Sequence, residues 1–148
     1  MRNSYLALNA ETRKELEAFP MQFAFNIKQF EEGMKALGLT KDDTDKVVSI
    51  PGGGFVRKTD AGAFMDLFKR HREKHLAAIA ADTEGTGYIY EMFDYELGNH
   101  EYSYTYDPKP ALTALGLTLQ QVKANPIMLA AFNRARAAQF KTDNTEQP

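Results

Sequence analysis

Two of the three histidines in this sequence, His71 and His75, stand four residues apart, a spacing that puts both imidazoles on one face of a helix. Glu96 and His100 repeat the spacing, and Asp94 lies nearby in the chain. Two helices so equipped can build a metal site for assisted hydrolysis. Against that, His71-Arg72-Glu73-Lys74-His75 is not the His-Glu-x-x-His order of zinc peptidases, and its cationic neighbours oppose a metal ion. A second pattern begins at Asp82. Asp82, Glu84 and Thr86 occupy positions one, three and five of an EF-hand-like loop, with Gly87 at the sharp sixth position. The twelfth position fails, because Phe93 stands where a bidentate Glu supplies two ligand oxygens. An ordinary helix-to-helix loop explains the same residues. The run Pro51-Gly52-Gly53-Gly54 with Lys58-Thr59 has the composition of a phosphate loop but not its spacing, and reads as a hairpin turn.

Other chemistry is excluded by what the chain lacks. Without cysteine there is no disulfide, no thiolate metal site and no thiol nucleophile. The sequence carries neither a Gly-x-Ser-x-Gly elbow nor a dinucleotide fingerprint. No catalytic residue, metal or cofactor is therefore assigned, and a non-enzymatic protein is the expectation.

Charge is segregated along the chain although the net charge is only −2. From Arg57 to Lys74 there are six Lys or Arg against three acids; from Leu76 to Asp107 there are seven acids and no Lys or Arg. Six of the seven tyrosines fall in the acidic stretch. Tyrosine offers contact area with a polar tip and is enriched in protein interfaces. The expected site is thus an acidic, Tyr-rich surface of Tyr88, Tyr95, Glu96, Glu101, Tyr102, Tyr104 and Tyr106, facing a basic protein partner. The competing explanation is that these rings fill a half-buried sheet face and the acids pair within the fold.

The elements that must position these residues can be read from local signals. Asn9 is expected to cap a helix from Ala10 to Ala18, stopped by Pro20. Residues 22–25 read as extended, and Asn26 with Gln29 opens a helix that Gly38 ends. Val47 to Ile50 and Phe55 to Arg57 form a hairpin around the glycines. Thr59 opens the longest helix, which runs to about Ala81, and Tyr88 to Leu97 is a second. Tyr102, Tyr104 and Tyr106 alternate with Ser103 and Thr105, a period of two that predicts a strand. Short helices at 109–115 and 119–124 and a final helix from Asn125-Pro126 follow. Ala36-Leu37-Gly38-Leu39-Thr40 recurs at Ala114-Leu115-Gly116-Leu117-Thr118, and helix-end chemistry accounts for both without duplication: a left-handed Gly, a Leu folded back on the helix, and Thr40 or Thr118 capping the helix that follows.

These elements predict an α+β fold of five or six helices on a small antiparallel sheet of three or four short strands. One domain over 1–141 is expected, with 142–148 a disordered tail. The N-terminus reaches Glu11 before any apolar run, and nowhere do eighteen apolar residues occur together, so the expectation is a cytoplasmic protein without membrane contact.

Phe23-Ala24-Phe25, Gln29-Phe30, the glycine hairpin and above all the segment from Gly87 to Tyr102, with Tyr95-Glu96-Leu97-Gly98-Asn99-His100-Glu101-Tyr102, carry a resemblance. The chain resembles a group of small uncharacterised bacterial proteins associated with phages and plasmids, over roughly Phe23 to Val122. The resemblance implies a setting and transfers no functional residue. Three readings follow: a binding module of a mobile element, such as a host-defence inhibitor; a metal-assisted hydrolase using His71, His75, Glu96 and His100; and nucleic-acid binding through the basic helix at Arg70 and Arg72. The first leads, and nucleic acid is not the expected partner.

Overall fold

The computed structural model describes residues 3–145, with side chains through residue 141. Its class is α+β: eight α-helices and one three-stranded antiparallel sheet among the described residues. The helices exceed the expected five or six, while three strands among the described residues fall within the expected three or four. Two compact units divide the chain, Glu11–Arg72 and Met1–Ala10 with Glu73–Pro148.

The Glu11–Arg72 unit holds the sheet. β1 (Met21–Phe23), β2 (Val47–Ile50) and β3 (Gly54–Arg57) lie in the order β1-β3-β2. β2 and β3 form the predicted hairpin, with Ile50 opposite Gly54 and Val47 opposite Arg57. Its turn needs glycine because Gly52 and Gly53 both have positive φ, 88° and 83°. α2 (Ile27–Ala36) starts as expected, the Asn26 side chain accepting from the Gln29 amide at 2.8 Å. Its inner face brings Met34 and Leu37 against Phe55, with Phe30 stacked at a tilt on the Phe55 ring.

The other unit is helical, and α1 (Ser4–Glu17) and α3 (Ala61–Ala81) each contribute residues to both units. α1 begins six residues before the expected start. The cap is Asn3, whose Oδ1 accepts from the Leu6 amide, and burial of Tyr5 and Leu8 anchors the extra turns. α3 (Ala61–Ala81) and α4 (Tyr88–Asn99) flank the Asp82 loop, as predicted. α5 (Tyr102–Thr105), α6 (Lys109–Ala114) and α7 (Leu119–Lys123) are short, and α8 (Pro126–Thr145) is the closing helix. Phe93 and Phe132 meet edge to face at the centre, packed with Met92, Leu97, Val122 and Ala135, all essentially without solvent contact. Five such side chains from α4 and α8 alone, Met92, Phe93, Leu97, Phe132 and Ala135, remove apolar surface at about 25 cal/mol per Å², so this helix pair organises the unit. No proline or glycine interrupts α8 before it reaches Thr145, four residues into the expected tail; residues 146–148 lie outside the described residues.

Both copies of the Ala-Leu-Gly-Leu-Thr segment end a helix in the same way. Gly38 and Gly116 take left-handed φ of 77° and 69°, and the next Leu donates back to the helix, Leu39 to Met34 and Leu117 to Leu112. They then diverge. Thr118 closes a reciprocal capping box with Gln121 on α7, whereas Thr40 donates to Asp43 in a turn.

Candidate functional site

The acidic, Tyr-rich stretch is divided by the fold into a buried part and an exposed part. Tyr88, Glu96 and Tyr102 are core residues, and Tyr95 is half-buried with its ring 5.9 Å from that of Tyr5. These four therefore do not present the surface expected of them. The reason is helical periodicity: on α4, Tyr88, Ile89, Met92, Phe93, Glu96 and Leu97 fall on neighbouring turns and are buried, with Tyr95 at the edge of that face.

Glu96, only 7% exposed, has partners that make its burial tolerable. The Tyr5 hydroxyl donates to its Oε2 at 2.7 Å, the Asn99 amide lies 3.5 Å from Oε1, and His100 Nε2 lies 3.9 Å from Oε1. Burial first, and then the neighbouring Glu96 carboxylate, holds the Tyr5 phenol well above its ordinary range. His75 Nδ1 and the Tyr88 hydroxyl share a hydrogen bond of 2.6 Å, and burial, helped by the Glu91 charge, pushes Tyr88 up to about 12. Sequence reasoning missed Tyr5, because nothing local links it to Glu96, ninety-one residues away.

The histidines do not gather. His71 shares a hydrogen bond with Thr12, His75 with Tyr88, and His100 faces Glu96. Among the described residues, no three His, Asp or Glu side chains come together in a way that could hold a metal ion. The Asp82 loop is equally self-contained. Asp82 Oδ1 accepts from the Gly85 amide, and Oδ2 accepts from those of Gly87 and Ile89, at 2.9–3.1 Å. The carboxylate thus ties the loop and caps the start of α4, where the helix dipole favours a negative charge. Arg57, beside the glycine hairpin, is paired with Asp60 at 2.7 Å. On the basic helix, Arg70 lies 3.5 Å from Glu15.

The exposed part is the turn from Glu101 to Asp107. The expected strand is a single helical turn, α5, because its amides close locally: Thr105 donates to Glu101 and Tyr106 to Tyr102. A period of two makes a strand only where a neighbouring edge accepts its hydrogen bonds. Two non-glycine residues bracket the turn in the left-handed region, Glu101 at φ 56° and Tyr106 at φ 58°, and in the described residues no other non-glycine residue does so. Such conformations cost about 1 kcal/mol or more each and persist only where the surroundings impose them. Here Phe140 of α8 does so, packed edge-on to the buried Tyr102 and stacked on Tyr106 at 5.5 Å. Tyr104 is then held out, 81% exposed, beside Tyr106 at 69%.

Asp107 joins this turn to a groove of about 340 Å³. Leu112, Leu117 and Leu119 give it an apolar lining, with Asp107, Lys109, Thr113 and Thr118 among its polar groups. Asp107 is fixed at the rim, its Oδ1 accepting from the Lys109 amide at 3.0 Å. The arrangement pairs two presented phenols and two acids with an apolar recess, which suits recognition of a surface or peptide and supplies no nucleophile–base pair.

Residues 4–138 match the model of a protein family of unknown function. The chain belongs to DUF7659. The DUF7659 match takes in the Asp82 loop, the Tyr5–Glu96 pair and the whole Glu101–Asp107 turn. No curated protein and no solved structure matches this DUF7659 chain. Among its described residues, no helix is long and apolar enough to cross a membrane.

Proposed function

We propose that this protein is a small non-enzymatic binding module that engages a basic protein partner through Glu101, Tyr104, Tyr106 and Asp107 and the adjoining groove. The observation that carries the reading is the pair of left-handed, non-glycine residues that set the backbone of a turn with two exposed phenols, one of them, Tyr106, stacked on Phe140. Pre-set aromatic side chains lose little freedom on binding, so they are effective anchors. The groove suits one apolar side chain of the partner, and the acids suit a Lys or Arg next to it. The resemblance to phage- and plasmid-associated proteins supports a mobile-element setting, for which a host-defence protein is a fitting target.

The test is affinity capture from host lysate with quantitative mass spectrometry, comparing wild type with Tyr104→Ala and with Glu101→Lys plus Tyr106→Ala. Glu96 drops out of such a series because it is buried. A partner held by the wild type should be retained at least about tenfold less by each variant, the effect of losing an interface anchor. Identical retained proteins in all three samples, with unchanged circular dichroism, would show that the turn is not the interface.

A further inference from the structure

A second groove, away from the Glu101 turn in sequence and in lining, lies between the start of α4 and the outer face of α8. Its lining is Thr86, Tyr90, Arg134, Ala137, Ala138 and Lys141, around about 490 Å³, within the range of small-molecule sites. The α8 residues are spaced three, one and three apart, so they share one face, with a cation at each end and two methyl groups between. Alanine at 137 and 138 is what leaves the space open. Seven residues separate the cations by about 10 Å along the helix axis, within the joint reach of two long side chains. Thr86 and Tyr90 bring hydroxyls from the opposite wall.

We propose that this groove binds a phosphate monoester, its oxyanion between Arg134 and Lys141 and its organic part over the alanine floor against Tyr90. Arg134 is already oriented, one Nη donating to the Gly85 carbonyl at 3.2 Å, so its planar fork is held in place at the groove. The Tyr90 phenol feels the Arg134 charge, which works against its upward shift from burial and from Asp94. Asp94, the nearby acid, accepts at Oδ1 from the Gln139 side-chain amide at 2.9 Å. Two cations match the two charges of a phosphate monoester better than the single charge of a carboxylate.

The probe is phenyl phosphate, titrated into the full chain and followed by amide chemical shifts. Saturable shifts at Thr86, Tyr90, Ala137 and Ala138 are expected. Lys141→Gln should weaken binding about tenfold, as should Ala137→Glu, which places a carboxylate in the groove. Lys123→Gln, on α7, should leave the affinity unchanged. An absence of saturation up to about 10 mM, or equal affinity in Ala137→Glu and wild type, overturns the site. Sedimentation with phosphatidic-acid vesicles separates the two sources of the phosphate. Binding that depends on Lys141 makes it a lipid headgroup, and no sedimentation makes it a soluble ester; both keep the site.

Discussion

At Asp82 a single carboxylate serves three amides, and the consequence is measurable. Asp82→Ala leaves the Gly85, Gly87 and Ile89 amides without their acceptor and uncaps α4, so it should cost about 2–3 kcal/mol in urea unfolding. Asp82→Asn keeps one acceptor oxygen and should cost about half as much. If the two variants match the wild type, the loop is held by something other than this side chain. That this is an ordinary helix-to-helix loop was legible in the sequence, from the failed twelfth position of the calcium pattern. The three amides that Asp82 serves were not, because a carboxylate that starts a calcium loop and one that closes a loop on its own backbone have the same residue type and the same glycine neighbours.

Helix ends were legible because their signals are local. The Gly–Leu pairs at 38–39 and 116–117 needed only a left-handed residue and a following hydrophobe, and the structure shows both. Gly85 differs in kind. Its φ is 74°, and a Cβ there would come within 2.8 Å of Ile127 Cγ2 and 3.1 Å of the Ile127 carbonyl, whereas a Cβ on Gly116 meets nothing within 4 Å. Gly116→Ala should therefore cost about 1 kcal/mol, from backbone strain alone. Gly85→Ala should cost about 3 kcal/mol, from the same strain plus crowding against α8. Equal losses in thermal or urea unfolding would mean that α8 yields at Ile127. The α5 turn is the element that sequence misread, since alternating Tyr, Ser and Thr carry strand propensity while the hydrogen bonds that would realise it need a partner strand.

Across the molecule, buried phenols link the helical unit's stability to pH. An unfolded tyrosine ionises near 10, but folded Tyr88 does so near 12, and burial beside Glu96 also holds Tyr5 above its ordinary value. The folded state thus keeps the proton more tightly than the unfolded chain. The stability from these two groups is complete below pH 10; the part from Tyr88 is lost as pH rises through about 12, and the part from Tyr5 is likewise lost on the alkaline side. Urea unfolding followed against pH, together with phenolate absorbance, should show three late-ionising tyrosines, Tyr5, Tyr88 and the partly buried Tyr90, and a fall in stability over that window. Tyr5→Phe should remove one of the late phenols and, by leaving Glu96 short of a donor, lower stability by about 1–3 kcal/mol at neutral pH. Seven phenols ionising together near 10, with stability unchanged, would contradict the arrangement.

By itself the sequence determined the α+β class, the β2–β3 hairpin, the helix ends at Gly38 and Gly116, the Asn26 and Thr118 caps and the long α3. Each of these is decided within a few residues by φ preference, capping or periodicity. Only the tertiary structure decided which tyrosines and acids of the 76–107 stretch reach solvent. Tyr102 and Tyr104 have the same residue type and stand two apart, yet Tyr102 packs on Phe140 in the core while Tyr104 is 81% exposed. That difference arises from α8 and from left-handed backbone at Glu101 and Tyr106, and both depend on contacts between residues far apart in the chain, to which local pattern is blind.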